Sequence, residues 1–409
     1  TDAVVATADF NDTCGTGTGP TKEQLYSTAS YKAKDLRGIA LAYNDVSGWN
    51  LAGQNLAGAN FQGATLGNAD LSDAMVEGAE FSKSWDGAGT AITDEQLYST
   101  ASYKSRIMQG IKLDRNDLSS WSFAGQNLVR ASFADAILKH TDLTNAVVAG
   151  VYFQGTTSAG FTREQLYSTA SYKSKDLQGI RLDENVLSSW SFAGQNLMGS
   201  DFSEAVLVDA DLTDAVVANA SFWQTTSDGF TREQLYSTAS YKRKDLEGTG
   251  LGSNDLSGWN FTGQNLAKAD FSLAKLTGAD LTSAIVAGAD FSVSVSWNGE
   301  RTGSGLTKEQ LYSTASYQAK DLHGIRFSGN DLYGCDLARQ NLTGAEFTFA
   351  DEIIIRPGDV TYAVPADLSY ANLSQANLAG ANFTATTLTG ADLTDAVVAG
   401  TVFSAYFEG

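Results

Sequence analysis

Large apolar residues fall at every fifth position along most of this chain. Over residues 172–222 the series is Tyr172, Leu177, Leu182, Leu187, Phe192, Leu197, Phe202, Leu207, Leu212, Val217 and Phe222. Small residues (Ser200, Ala205, Ala210, Ala215, Ala220) stand two positions ahead of the last five. A step of five suits neither regular element. On an α-helix it carries the side chain about 140° around the axis, and on an unbroken strand an odd step points it to the opposite face. These residues can share one interior only if the chain turns once per five residues. Short extended segments then coil, and stacked coils pair their backbones. The pattern predicts an all-β solenoid, one continuous body over 1–409, with Leu and Phe in its core and Ala making room at the corners.

A longer period lies over the short one. EQLYSTASY begins at Glu23, Glu95, Glu164, Glu233 and Glu309, at spacings of 72, 69, 69 and 76. The units run at approximately 1–20 (partial), 21–92, 93–161, 162–230, 231–306 and 307–409. Each motif breaks the five-residue pattern once. Thr231 with Gln234 reads as a capping box, and Phe230 with Leu235 as the staple around it; Thr162 with Gln165 and Thr307 with Gln310 repeat the arrangement. One helix of about two turns is expected at each motif. The last unit carries an excursion, DEIIIRPGDVTYAV (351–364), in which Ile353, Ile354 and Ile355 face Val360, Tyr362 and Val364 across a Pro357-Gly358 turn. This predicts a β-hairpin projecting from the solenoid.

Runs such as NLAGANFQGATLGNADLSDA (55–74), ADFSLAKLTGADLTSA (269–284) and ANLSQANLAGANFTATTLTGADLTDA (371–396) resemble the A(D/N)LXX signature of the pentapeptide-repeat family. The resemblance covers most of the chain. It implies a right-handed, four-sided parallel β-helix, where periodicity alone leaves three sides or four open. With four sides, eleven pentads plus one helix-bearing side make three coils per unit, with one short α-helix each.

Composition narrows the function. A net charge of −20 argues against nucleic-acid binding through phosphates, and no run of residues is apolar enough to insert in a membrane. No signal peptide is evident. No HExxH, CxxC, GxSxG or P-loop occurs, and His140 and His323 occupy non-equivalent repeat positions, so no enzyme is expected. Asp70, Asp142, Asp211 and Asp280 should point outward as a solvated acidic face, where weak Ca²⁺ binding is the only cofactor chemistry suggested. Trp49, Trp121, Trp190 and Trp259 are expected in the core, and Gln54, Gln126, Gln195, Gln264 and Gln340, if buried, must bond to backbone. Cys14 and Cys335 lie 321 residues apart. At about 4.8 Å per coil that is roughly 65 to 70 Å, too far for a bond within one straight molecule.

Basic residues gather after each motif: Lys32 and Lys34, Lys104 and Arg106, Lys173 and Lys175, and Lys242, Arg243 and Lys244. They form a lateral basic stripe that could pair with the acidic face of another copy. The first residues, TDAVVATADF, match the tail of a unit, and the last coil is followed by SAYFEG, so both ends are expected to stack on other copies. The leading expectation is therefore a non-enzymatic structural protein assembling head-to-tail into an extracellular or cell-surface filament, with a cytoplasmic setting as the alternative. Candidate subunit contacts are Ile353, Ile354, Ile355, Val360, Tyr362, Val364, Cys14, Cys335, Phe403 and Phe407. The family resemblance adds an acidic DNA-mimicking inhibitor of a type II topoisomerase, and a surface adhesin is a further alternative.

Overall fold

The computed structural model describes residues 2–12, 19–87, 89–296, 301–348, 353–356, 359–363 and 365–404, with backbone alone for 295–296 and for the strands within 353–363. Two compact units divide it: Thr1–Leu187 with Gln195–Asp201, and Ser188–Gly194 with Phe202–Gly409.

In the first unit, parallel backbone bridges recur at a step of twenty residues. They join Ile107, Asn127 and Val147 on one wall and Lys112, Ser132 and Tyr152 on the second. Asp117 and Ile137 meet on the third, and Ser122 and Asp142 on the fourth. Twenty residues are four pentads, so each coil has four sides. The second unit repeats this with Asp245, Asn265 and Ile285, with Gly250, Asp270 and Asp290, with Asp255 and Lys275, and with Asn260 and Asp280.

The cause of the turning is visible at the corners. Arg115, Ser120, Gly125, Arg130, Asp135, His140, Asn145 and Gly150 all have φ between +56 and +67°. A left-handed residue every fifth position bends the chain after each short extended piece; it costs a non-glycine residue roughly 1–2 kcal/mol. Asp and Asn help to hold the bend. Asp117 Oδ1 accepts from the Ser119 amide at 3.0 Å and Asp142 Oδ1 from the Thr144 amide at 2.9 Å, which is why the signature carries these residues before its central Leu or Phe. Inside, Leu118, Phe123, Leu128, Phe133, Leu138, Leu143, Val148 and Phe153 are buried. Phe123 meets Phe133 edge to face at a ring-centroid separation of 5.3 Å, and Phe133 stacks on Phe153 at 5.6 Å.

Every third coil departs from this plan on two sides. The third side becomes a loop, with Phe161 or Phe230 in the core against Phe153 or Phe222 at 4.6 and 4.7 Å. The fourth becomes helical, and here the structure corrects the expectation of one two-turn helix. Among the described residues there are five pairs of short helices. They are α1 (Lys22–Tyr26) and α2 (Ala29–Lys32), α3 (Asp94–Ser99) and α4 (Ala101–Lys104), α5 (Arg163–Ser168) and α6 (Ala170–Lys173), α7 (Arg232–Ser237) and α8 (Ala239–Lys242), and α9 (Lys308–Ser313) and α10 (Ala315–Gln318). The break falls on a threonine. Thr169 is extended (ψ 155°), its hydroxyl donates to the Leu166 carbonyl at 2.7 Å, and the same oxygen accepts from the Tyr172 amide at 3.1 Å. One side chain thus closes α5 and caps α6. Tyr172 accordingly belongs to the helical side, and the loop supplies the side that sequence counting assigned to it. The capping boxes expected at Thr162, Thr231 and Thr307 are all formed, as are those at Thr21 and Thr93.

A wall replaced by helices leaves the coil beyond it without a strand partner on that side, and the two tyrosines of the motif fill the gap. Tyr98 Oη accepts from the Ser122 amide at 2.6 Å, while Tyr103 Oη donates to the Ser122 carbonyl at 2.8 Å. Tyr312 and Tyr317 treat Asp336 alike, at 2.6 and 2.7 Å. In each pair the rings pack together, 4.5 Å apart for Tyr98 and Tyr103.

The recurrent tryptophans Trp49, Trp121, Trp190 and Trp259 are buried, and Cys335 at the same place is fully buried. The five recurrent glutamines are buried too. Each Nε2 donates to a tyrosine carbonyl, for instance Gln126 to Tyr103 at 3.0 Å, but the Oε1 atoms of Gln54, Gln126, Gln195, Gln264 and Gln340 have no partner among the described residues.

The hairpin expectation holds for its strands. β3 (Ile353–Arg356) and β4 (Asp359–Ala363) pair antiparallel; Pro357 and Gly358 lie outside the described residues. A second hairpin, β1 (Ser294–Ser296) with β2 (Arg301–Thr302), joins them edge to edge in the order β2-β1-β4-β3. The excursion therefore does not simply project: β4 pairs with β1 of the same chain, Ser294 opposite Ala363. The coil itself closes beneath it, with the Ala366 amide donating to the Phe347 carbonyl at 2.9 Å.

Candidate functional site

The basic stripe is largely spent within the chain. Lys32 pairs with Asp2 at 2.9 Å, Lys104 with Asp73 at 2.8 Å and Lys242 with Asp214 at 2.8 Å. Lys173 donates to Asn145 Oδ1 and the Ser168 carbonyl at 2.9 and 2.6 Å. These lysines end their helices, where a cation also suits the carbonyl dipoles. Lys34, Arg106, Lys175 and Lys244 are the left-handed corner residues that follow. Lys34 and Lys244 donate to the Ala52 and Thr262 carbonyls at 2.6 and 2.8 Å, and Lys175 lies over the Tyr172 ring at 5.5 Å. Arg243 closes α8 through its amide, which donates to the Ala239 carbonyl at 2.9 Å. Exposed pairs of this kind add little stability, so their main effect is to lower the net positive charge offered to a partner.

Charges are less solvated on the second wall. Glu80 and Lys112 pair there at 3.0 Å beside a groove of about 570 Å³ lined by Asp114, Arg130, Ser132 and Tyr152. Asp114 Oδ1 accepts from the Ser132 hydroxyl and from the Ala134 amide, yet burial still pushes its carboxyl up. In the second unit the corresponding wall holds Asp270, Asp290 and Arg326, with Asp290 and Arg326 at 3.5 Å; burial pushes Asp270 up as well. A wider cleft of about 800 Å³ lies between α7 and β2, floored by Phe230, Trp259 and Leu273 and walled by Arg232, Glu233, Asp255, Lys275 and Arg301.

The candidate chemistry of the sequence is dispersed. His140 is a corner residue, and His323 Nδ1 sits 2.7 Å from Asp321 Oδ1. Asp70, Asp142, Asp211 and Asp280 are exposed, as expected, and each accepts the amide two residues on. Among the described residues no group of His, Cys, Asp or Glu could hold a metal ion. No helix among them is long and apolar enough to cross a membrane. Of the candidate subunit contacts, Ile353, Ile354 and Ile355 lie in β3, and Val360 and Tyr362 in β4. Phe403 is half-exposed and stacked on Phe383 at 5.3 Å. Cys14, Val364 and Phe407 lie outside the described residues.

A family model for pentapeptide repeats matches residues 35–84, 117–156, 191–225, 255–292, 321–351 and 366–404, more than half of the chain. The chain belongs to the pentapeptide-repeat family. The family fold is a right-handed β-helix-like solenoid, and its members are generally structural or regulatory rather than enzymatic. HetL, a pentapeptide-repeat protein involved in heterocyst differentiation regulation in Nostoc sp. strain PCC 7120, is 20% identical, covering 72% of this chain and 88% of its own at a TM-score of 0.15. Rfr23 from Cyanothece 51142 is 22% identical over 42% of this chain and 97% of its own, with a TM-score of 0.15. QnrB1, a plasmid-mediated fluoroquinolone resistance protein, is 14% identical over 70% and 90%, also at 0.15. Superpositions this poor support no transfer of role. No curated protein matches the chain.

Within this pentapeptide-repeat solenoid one recurrent functional group escaped the sequence reading. Asn44, Asn116, Asn185, Asn254 and Asn330 are buried once per unit. Asn185 Nδ2 donates to the Phe153 carbonyl at 2.7 Å, and its Oδ1 accepts from the Thr157 amide at 2.8 Å, pinning the loop ahead of α5. Asn254 holds Thr225 and Thr226 in the same way, both at 2.8 Å. The signal was an Asn at constant distance from each motif in an otherwise variable stretch.

Proposed function

We propose that this pentapeptide-repeat chain is a non-enzymatic structural protein that self-assembles, and that strand β3 supplies the contact between copies. One observation carries the reading. In the order β2-β1-β4-β3, strand β3 pairs, among the described residues, only with β4. An open edge rich in Ile is a template for another strand, and a copy of the same strand can add to it antiparallel about a two-fold axis. The opposite edge, β2, is two residues long and contains Arg301, a blunted edge by comparison. Sedimentation and electron microscopy over a range of concentrations test the idea. Wild type should pass from monomer to dimer as concentration rises, and Ile354→Lys should remain a monomer. A wild-type protein that stays monomeric at every concentration rules the reading out.

The net charge of −20 favours one second reading, an acidic mimic of duplex DNA acting on a type II topoisomerase. A gyrase supercoiling assay decides it: inhibition at micromolar protein supports the mimic, and undiminished supercoiling removes it.

A further inference from the structure

Asp183 lies in the first unit at a repeat position that the fold does not reserve for an acid. Its counterparts are Ala42, Asp114, Gly252 and Ser328. Asp114 is accommodated because Ser132, on the next coil, and the Ala134 amide donate to its carboxylate. For Asp183 the residue in the place of Ser132 is a second acid, Asp201. One guanidinium serves both. Arg181 Nη2 reaches Asp201 Oδ2 at 2.9 Å, whereas Arg181 Nε stands 3.5 Å from Asp183 Oδ1. Among the described residues neither Arg181 Nε nor Asp183 Oδ1 has a hydrogen bond, and Asp183 is only 5% exposed.

The other charged or titratable groups at this place are Glu184, whose Oε1 accepts from Gln154 Nε2 at 2.8 Å, and Tyr152, whose ring lies 5.0 Å from the Arg181 guanidinium carbon. Neither supplies a second cation. A buried carboxylate that shares its only cation with a second, partly exposed carboxylate ionises at a cost, so Asp183 retains a proton where an isolated carboxylate would have lost its own.

We infer that Asp183, Arg181 and Asp201 form a protonation latch between adjacent coils, closed when Asp183 holds a proton and strained when it does not. The stretch 183–185 is also where the loop before α5 docks. The Gly155 amide donates to the Asp183 carbonyl at 3.1 Å and the Thr157 amide to Asn185 at 2.8 Å. Opening the latch loosens that attachment, so the loop becomes a pH-responsive element of the surface. Burial first, then the Asp201 charge, pushes the Asp183 carboxyl up to about 6. By linkage, folded Asp183 binds a proton that the unfolded chain releases, so stability falls as pH rises from about 4 to about 6, and is level above.

The test combines carboxyl ¹³C titration of the folded protein with hydrogen exchange at the Gly155 and Thr157 amides. In wild type Asp183 should titrate near 6, and protection at these amides, corrected for intrinsic exchange, should fall between pH 4 and 7. The ceiling is roughly 100-fold, set by the displacement from 3.8 to about 6. Asp183→Asn, and Asp183→Ser (the residue at 328), should abolish that fall. Asp201→Asn should bring Asp183 back toward the ordinary carboxylate range. Titration of Asp183 below about 4.5 in wild type, or protection that falls equally in Asp183→Asn and Asp183→Ser, overturns the latch. So does an Asp183 titration that Asp201→Asn leaves unchanged.

Discussion

The Tyr98 hydroxyl accepts the Ser122 amide at 2.6 Å, and this bond replaces one that a missing strand would have made. Elsewhere on the same wall the Asp142 amide finds the Trp121 carbonyl of the coil before it; Ser122 faces helices instead. Tyr98→Phe keeps the ring and removes the acceptor. It should cost about 1 kcal/mol, the worth of a partly buried hydrogen bond, read as a lower denaturation midpoint. Loss confined to a few tenths would mean that the ring alone holds the helices.

A methyl group at a tight corner tests the bend. Gly63 has φ +62°, and a Cβ there would fall 2.9 Å from Cε1 of Tyr43. Gly63→Ala adds this contact to the left-handed penalty of about 1–2 kcal/mol, whereas Gly58→Ala, with nothing within 4 Å of its Cβ, should cost only the latter. Comparing the two midpoints separates crowding from backbone preference.

The helix break is equally open to test. Thr169→Val removes the hydroxyl that joins α5 to α6 at nearly constant volume, and should cost about 1–2 kcal/mol as a lost cap. Thr169→Ser, which keeps the oxygen, should recover most of it. Circular dichroism and denaturation of the two variants decide the matter.

Cys335 is fully buried, and burial pushes its thiol up. Since the thiolate is the reactive species, a Cys14→Ser protein should resist thiol reagents in its native state and react fully once unfolded. Rapid native labelling would contradict the packing of Cys335 in the place of Trp.

Acid should act with the opposite sign to the Asp183 latch. The carboxyls of Asp45, Asp70, Asp117 and Asp280 are held low by hydrogen bonds from Ser47, Ser72, Ser119 and Thr282. Their contribution is present above the unfolded value near 3.8 and is lost as pH falls through the lower folded values. Asp70→Asn with Asp280→Asn keeps an acceptor at both turns, as Asn50 and Asn60 already do, and should move the acid-unfolding midpoint to lower pH.

Much of this was legible because the cues are local. The five-residue step fixed the coil, Thr-x-x-Gln fixed where each helix begins, and constant spacing from the motif put Trp and Gln inside. The break at Thr169 was not legible, since a threonine within EQLYSTASY reads as helix until its hydroxyl is seen bonded in both directions. Nor were the pairs Lys104 with Asp73 and Asp183 with Asp201, which exist only once coils are stacked. The hairpin at 353–363 was visible as two apolar runs, but its union with β1 depends on register across nearly seventy residues, from Ser294 to Ala363.

The tyrosine pair also bears on how such a chain could change its length. Tyr98 and Tyr103 reach forward to Ser122, and Lys104 reaches back to Asp73. Everything that compensates for an interrupted wall therefore travels within one stretch of coding sequence. Tandem duplication or loss of a whole stretch would carry its own repairs, so the gain or loss of one unit would lengthen or shorten the protein without a second, correcting mutation.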